Sequence, residues 1–327
     1  MPFVPFCDYA SFCVICVSVD KNVVPRLALT LLLLALLACG SARTAQTLLP
    51  EPIRNSQGLR LIIAEENTHP ALRIVLPGQS LSDRSIEIIF PEHVTARKAG
   101  SANAEQLYLF RPGMQGERPA WQRVGQSLQY EKELSGGVHF LAKATLEDDG
   151  VRFRYEFTNN SQASYDMIYA VTDPRMTSIF HDVRLERTYV HRADGFGLIA
   201  ADTPARLTMP LDQWLPARYL DSFTWPVPDQ RVERRDGITY YNASRAVDQP
   251  FIATLSTDRK WIVASFTREV GNVWTNPELT CQHVDPQTSL RPGQQKALEV
   301  KILVMNGSLE DALKKATQQR ASLASGE

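Results

Sequence analysis

One stretch, GVHFLAKATLEDDGVRFRYEFTN at residues 137–159, restricts the fold more than any other. His139, Leu141, Lys143 and Thr145 alternate with Phe140, Ala142, Ala144 and Leu146. After Glu-Asp-Asp-Gly the alternation resumes, with Val151, Phe153, Tyr155 and Phe157 set against Arg152, Arg154, Glu156 and Thr158. A period of two is the signature of a strand with one face in a core and one in water. The Asp149-Gly150 corner supplies the backbone freedom of a tight hairpin turn. A helix cannot bury this pattern, so the chain must contain an antiparallel sheet with a large apolar face.

Other short runs share the character: LRLIIA at 59–64, LRIVLP at 72–77, IEIIF at 86–90, QLYLF at 106–110 and YDMIYAV at 165–171. TYYNA at 239–243, FIATLS at 251–256, KWIVASFT at 260–267 and LEVKILVM at 298–305 follow. Gly, Pro, Asn and Asp clusters separate them, which predicts an all-β sandwich or barrel. Only the end reads as helix. Ser308 with Asp311 resembles a capping box, and Leu309, Ala312, Leu313 and Ala316 share one side. Residues 199–236 hold five prolines together with Trp214, Tyr219, Phe223 and Trp225, which predicts an ordered loop lying over the sandwich.

The N-terminus carries an export signal. LALTLLLLALLA, Leu27 to Ala38, is too short to span a bilayer and fits a secretory apolar region. Leu36-Leu37-Ala38-Cys39 resembles the lipobox of bacterial lipoproteins, which implies cleavage before Cys39 and lipid on its sulfur. The plainer alternative is secretion with cleavage near Ala42 or Ala45. Gly40 after the cysteine leans toward the outer membrane by the same resemblance. Translation is expected to begin near Val23 or Val24. The expected layout is a leader at 1–38, a tether at 39–58, a β domain at 59–305 and a helix with tail at 306–327. Of the five cysteines, only Cys39 and Cys281 lie beyond the leader. With Cys39 lipidated, no disulfide is available within the chain, and a core must hold the fold. The formal net charge of -1 gives no global field for nucleic acid.

Three constellations carry chemistry. Cys281, His283 and Asp285 alternate, and on an extended strand they share a face. Neighbours then sit about 6.6 Å apart and the outer pair about 13 Å, so all three cannot ligate one ion. A Cys-x-His or His-x-Asp pair could do so with a remote residue, for which His181 and His191 are the candidates. Against this, Cys281 reads as a small buried hydrophobe, His283 as a hydrogen-bonded structural histidine, and Asp285 before Pro286 as a turn initiator. No metal or other cofactor is expected. His283 is the candidate acid or base because imidazole titrates near neutrality, with Glu278 as partner. In the second constellation, Arg187 and His191 flank Tyr189 on one strand face, either lining a cleft or forming a solvated face. In the third, Trp214, Tyr219 and Trp225 either stack on sugar rings or are buried by their own loop. Phosphate loops, dinucleotide fingerprints, Gly-x-Ser-x-Gly elbows and His-Glu-x-x-His motifs are absent.

VRFRYEFTNNSQASYDMIYAV, ERTYVHRADG and RKWIVASFTREVGNVWTNPELTCQHVDPQTSLRPGQQKALEVKILVMNGSLEDAL together resemble secreted bacterial proteins with a galactose-mutarotase-like supersandwich. The resemblance covers roughly residues 138–320. It implies an all-β, two-sheet supersandwich with a short C-terminal helix, and a carbohydrate ligand. No equivalent of the mutarotase His and Glu catalytic pair is evident in the sequence. The expected function is therefore that of an exported, periplasmic or outer-membrane, lipid-anchored carbohydrate-binding protein. Its enzymatic form would be a hydrolase, lyase or epimerase. Arg187, His191, Trp214, Tyr219, Trp225 and Asn276 would bind the saccharide, and His283 and Glu278 would act on it. The alternative is a non-enzymatic envelope lipoprotein that binds a protein partner through sheet edges or the aromatic loop.

Overall fold

The computed structural model describes residues 50–64, 69–110, 118–229 and 231–326. All of them belong to the unit Leu49–Glu327. The leader and Cys39 lie outside the described residues.

The 137–159 hairpin lies inside a nine-stranded sheet, with five strands on one side and two on the other. Val138–Glu147 pairs with Gly150–Asn159, placing Phe153 opposite Ala144 and Phe157 opposite Phe140. On its far side Gly150–Asn159 pairs with the long strand Gln295–Asn306. Trp261–Thr267, Phe251–Leu255, Thr188–Arg192 and Gly195–Leu198 extend that flank. Ser127–Leu134 and Gln122–Val124 extend the other. Burial alternates along all of Val138–Glu147 and from Val151 to the end of its partner, as the period of two requires. Phe140, Phe153, Tyr155 and Phe157 are fully buried, each contributing about 1.5–3 kcal/mol by leaving water.

One core joins this sheet to three smaller ones. The first contains five strands, including Ala71–Val75, Ile86–Ile89 and Asp173–Met176. Phe90, just after Ile86–Ile89, packs 4.9 Å from Phe153 and 4.8 Å from Tyr155, ring centre to ring centre. The second contains Val94–Lys98 and Tyr165–Ala170, and the third contains Ala217–Ser222 and Asn272–Thr275. The architecture is thus the expected all-β sandwich, with its second layer divided among three sheets.

The helix Leu309–Arg320 lies on the outer face of the large sheet, where Ala312 and Ala316 meet Phe251, Ile262 and Phe266. Its cap is the expected one: Ser308 Oγ accepts from the Asp311 amide, and Asp311 accepts from the Ser308 amide. No helix among the described residues is long and apolar enough to cross a membrane.

Two expectations need correction. The β domain does not begin at 59 but earlier, because Ile53–Arg54 already pairs with Arg60–Ala64 and Ile53 is buried. Residues 199–236 are not an irregular loop. They contain the short helix Leu211–Trp214 and the strands Ala217–Ser222 and Arg231–Arg235. The first of these strands pairs in parallel with Ile238–Asn242.

Candidate functional site

The segment that links Asn272–Thr275 to Thr288–Leu290 is not a strand. Asn276 turns it: its Oδ1 accepts from the Leu279 amide, and Thr280 takes a positive φ of 48°. The chain then folds back on two neighbours. His283 and Trp274 exchange backbone hydrogen bonds at 3.0 and 3.2 Å, and Gln282 donates to the Pro174 carbonyl. These bonds put Cys281, His283 and Asp285 against Asp173–Met176 rather than out in solvent.

His283 is 1 % exposed, and a carboxylate faces each of its nitrogens. Nδ1 meets Asp285 Oδ2 at 3.2 Å, and Nε2 lies 3.5 Å from Asp173 Oδ1. Asp285 is held by the Thr172 amide at 2.9 Å, and Asp173 by Arg175 at 2.6 Å. Trp274 covers one face of the ring, with planes 2° apart and centroids at 3.7 Å. Burial pulls the imidazole pKa down. The Cys281 sulfur and the Asp285 carboxylate outweigh it and hold His283 well above its ordinary value. Cys281 is fully buried and accepts from Asn276 Nδ2 at 2.9 Å. One ligand atom each from Asp173, Cys281 and His283 falls within 4.8 Å of the others.

A less buried ring of groups borders this cluster. Glu92 and His93 follow Ile86–Ile89 and are tied to Val171 by reciprocal backbone bonds at 3.0 Å. Burial, then Asp173, pushes the Glu92 carboxyl up, against the pull of His283 and Arg175. Burial pushes His93 down, while Asp285 opposes it and His283 reinforces it. The two side chains stand 3.9 Å apart, and His93 Nδ1 has no hydrogen-bond partner. Burial likewise lowers His69 and raises Tyr169. Glu92, His93 and Tyr169 all feel the charges of His283 and Asp285. A carboxylic acid and an imidazole that are both biased toward their neutral forms can act as a proton donor and a proton acceptor.

The residues expected to form a saccharide site do not gather here as a set. Asn276 and His283 do, although Asn276 is spent on the turn and on Cys281. Trp214 is 0 % exposed, and its indole donates to the Val183 carbonyl at 2.7 Å, so no sugar can stack on it. Tyr219 is buried against Tyr241 and bonds to Thr203. Trp225 is 49 % exposed and rests on Gly271, where a Cβ would fall 2.0 Å from the indole. Arg187 spends its guanidinium on the carbonyls of Ile179, His181 and Leu255. His191 bonds Asp248 at 2.7 Å and touches Phe196, beside the helix-covered face. Glu278 is exposed; the carboxylates facing His283 are those of Asp173 and Asp285. His181 contacts the Glu278 carbonyl at 3.1 Å, so neither it nor His191 is the remote partner of the Cys-x-His pair. Asp173 holds that place. The sequence reading missed Glu92, His93 and Asp173. The only local sign was the Pro91-Glu92-His93 step after an apolar run.

A hollow of about 620 Å³ lies elsewhere, walled in part by Arg152, Arg154 and Glu299. Both arginines already bond Glu299, together with Glu147 or Glu156, so their charge is satisfied within the fold.

No protein-family model matches the chain, and no curated protein matches it. Solved structures do. The Slr1438 protein from Synechocystis sp. PCC 6803 aligns at 14% identity over 79% of this chain and 96% of that one, with a TM-score of 0.45. A GalM/aldose epimerase homologue from C. elegans aligns at 11% identity over 79% and 98%, with a TM-score of 0.41. The alpha-N-acetylgalactosaminidase NagBb from Bifidobacterium bifidum aligns at 10% identity over 84% of this chain but only 39% of that one, with a TM-score of 0.44. Galactose mutarotase-like proteins, which residues 138–320 resemble, are among the similar structures. These likenesses concern the course of the chain and assign no residue.

Proposed function

We propose that this is an exported, lipid-anchored protein that binds a saccharide over the half-buried groups Glu92, His93, Tyr169 and Trp274. In its enzymatic form it moves a proton on that saccharide. The observation that carries the reading is the Glu92–His93 pair, two half-buried groups of opposite proton bias 3.9 Å apart. In a cyclic sugar the anomeric hydroxyl and the ring oxygen are bonded to the same carbon. An adjacent acid and base can serve both: His93 takes the hydroxyl proton while Glu92 protonates the ring oxygen, which opens the ring. Glycoside hydrolysis needs its two carboxyls about 5 Å or more apart, one on each side of the bond. The spacing here favours epimerase-type chemistry. The half-buried Trp274 and Tyr169 set aromatic rings beside these polar groups, a mixture that suits sugars. His283, sealed beneath at 1 % exposure, does not touch the sugar. Export and anchoring rest on the apolar run and Cys39.

A glycan array probed with the purified chain tests binding. Polarimetry on the selected reducing sugars tests turnover. Glu92→Gln and His93→Ala should each slow anomer interconversion by about 10²-fold or more. Absence of glycan binding, or variants as fast as the parent, would overturn the reading.

The second reading, a protein-binding envelope lipoprotein, draws on one observation. The edge strand Arg231–Arg235 is exposed at every residue, Val232 among them. Such an edge is a template for pairing with another chain. No glycan binding, together with recovery of one stoichiometric partner that Val232→Lys abolishes, would favour it.

A further inference from the structure

We infer that Asp173, Cys281 and His283 form a binding site for a divalent transition metal of zinc type. The inference does not depend on the saccharide reading. The three residues offer oxygen, sulfur and nitrogen donors within 4.8 Å of one another, and each is buried. That donor set suits zinc and its spectroscopic substitute cobalt, not calcium or magnesium, which take oxygen.

Three further observations distinguish this cluster from a chance grouping around one cysteine. Asp173 is 3 % exposed, and its Oδ1 has no hydrogen-bond partner, while Arg175 occupies Oδ2. An orphaned buried carboxylate oxygen is costly unless something completes it. It faces His283 Nε2 at 3.5 Å. Donor atoms around a tetrahedral ion with bonds of 2.0–2.3 Å are separated by ~3.5 Å, so the group needs only modest contraction. Second, His283 Nδ1 is held by Asp285, the carboxylate–histidine arrangement that fixes a ligand's orientation and frees Nε2 for the metal. Third, charges balance. A dication meets two anionic ligands, Asp173 and the Cys281 thiolate, while Asp285 and Arg175 offset each other around them. Trp274 stacks on the His283 ring and leaves its edge free.

The route from sequence is short. A Cys-x-His pair lacks a third ligand, and Asp173, on a strand remote in sequence, is delivered by the Gln282–Pro174 backbone bond.

The test uses the full chain, stripped with a chelator, exchanged into metal-free buffer and titrated with Co²⁺. One equivalent should bind, with a near-ultraviolet sulfur-to-cobalt charge-transfer band and the strong visible bands of a four-coordinate ion. Cys281→Ser should abolish the near-ultraviolet band. Asp173→Asn, which keeps the side-chain shape, should weaken Co²⁺ binding at least tenfold. His181→Ala, at a histidine outside the cluster, should change neither. Folded parent protein that takes up no stoichiometric Co²⁺ or Zn²⁺ would overturn the inference without recourse to any variant. So would a charge-transfer band that survives in Cys281→Ser, because the sulfur would then belong to another cysteine.

Discussion

At the scale of single residues, position in the fold decides which polar groups can work and which cannot. His283 and Trp274 hold each other through paired backbone bonds and a ring stack, so the imidazole has one orientation. Glu92 is more accessible, and its raised pKa has a consequence for stability. A carboxyl whose folded pKa exceeds the unfolded value favours folding below the ordinary carboxylate range. That contribution is lost as pH rises through the folded value. Glu92→Gln should therefore match the parent near pH 4 and melt higher than it at neutral pH, as thermal unfolding across pH will show. Gly150 is a second decisive residue. Its φ is +152°, and a Cβ would sit 1.9 Å from the Ile302 carbonyl oxygen. Gly150→Ala should cost about 3 kcal/mol or more, read by denaturant unfolding. The sequence signalled Gly150 because a turn glycine is a local feature. It did not signal Glu92 or Asp173, because what makes them notable is a neighbour far along the chain. Trp214 shows the same limit: composition reveals an aromatic residue and not which way it faces, and this one faces inward.

At the scale of elements, period-two strands and the capped helix were plain in the sequence. Each of these patterns comes from one face being dry, and in the hairpin buried and half-buried residues alternate from Val151 onward and along all of Val138–Glu147. Ser308→Ala removes the acceptor of the Asp311 amide and should cost about 1 kcal/mol, measured by thermal or denaturant unfolding. The strand Ala217–Ser222 was hidden. It is short, flanked by Pro216 and Pro226, and pairs in parallel with residues beyond an intervening edge strand. Turn residues dominate such a window, and pairing partners outside it cannot be inferred from local alternation. The turn at 276–285 was hidden for a similar reason. Its bend is made by the Asn276 side chain and the bond from Gln282 to Pro174, not by glycine.

At the scale of the whole molecule, the large sheet supplies rigidity and the smaller sheets bring the chemistry together. Glu92 and His93 precede a strand of the second small sheet, Asp173 belongs to the first and Trp274 to the third. The candidate site therefore exists only once all three have packed on the common core, which is why no linear motif announces it. The most direct test is a crystal structure of the chain with the saccharide selected on the array. The expected result is a sugar whose anomeric carbon lies beside Glu92 and His93, with Trp274 or Tyr169 against its ring. A sugar bound instead at Trp225 or in the Arg152–Arg154 hollow, or none bound at all, would contradict the assignment of the site.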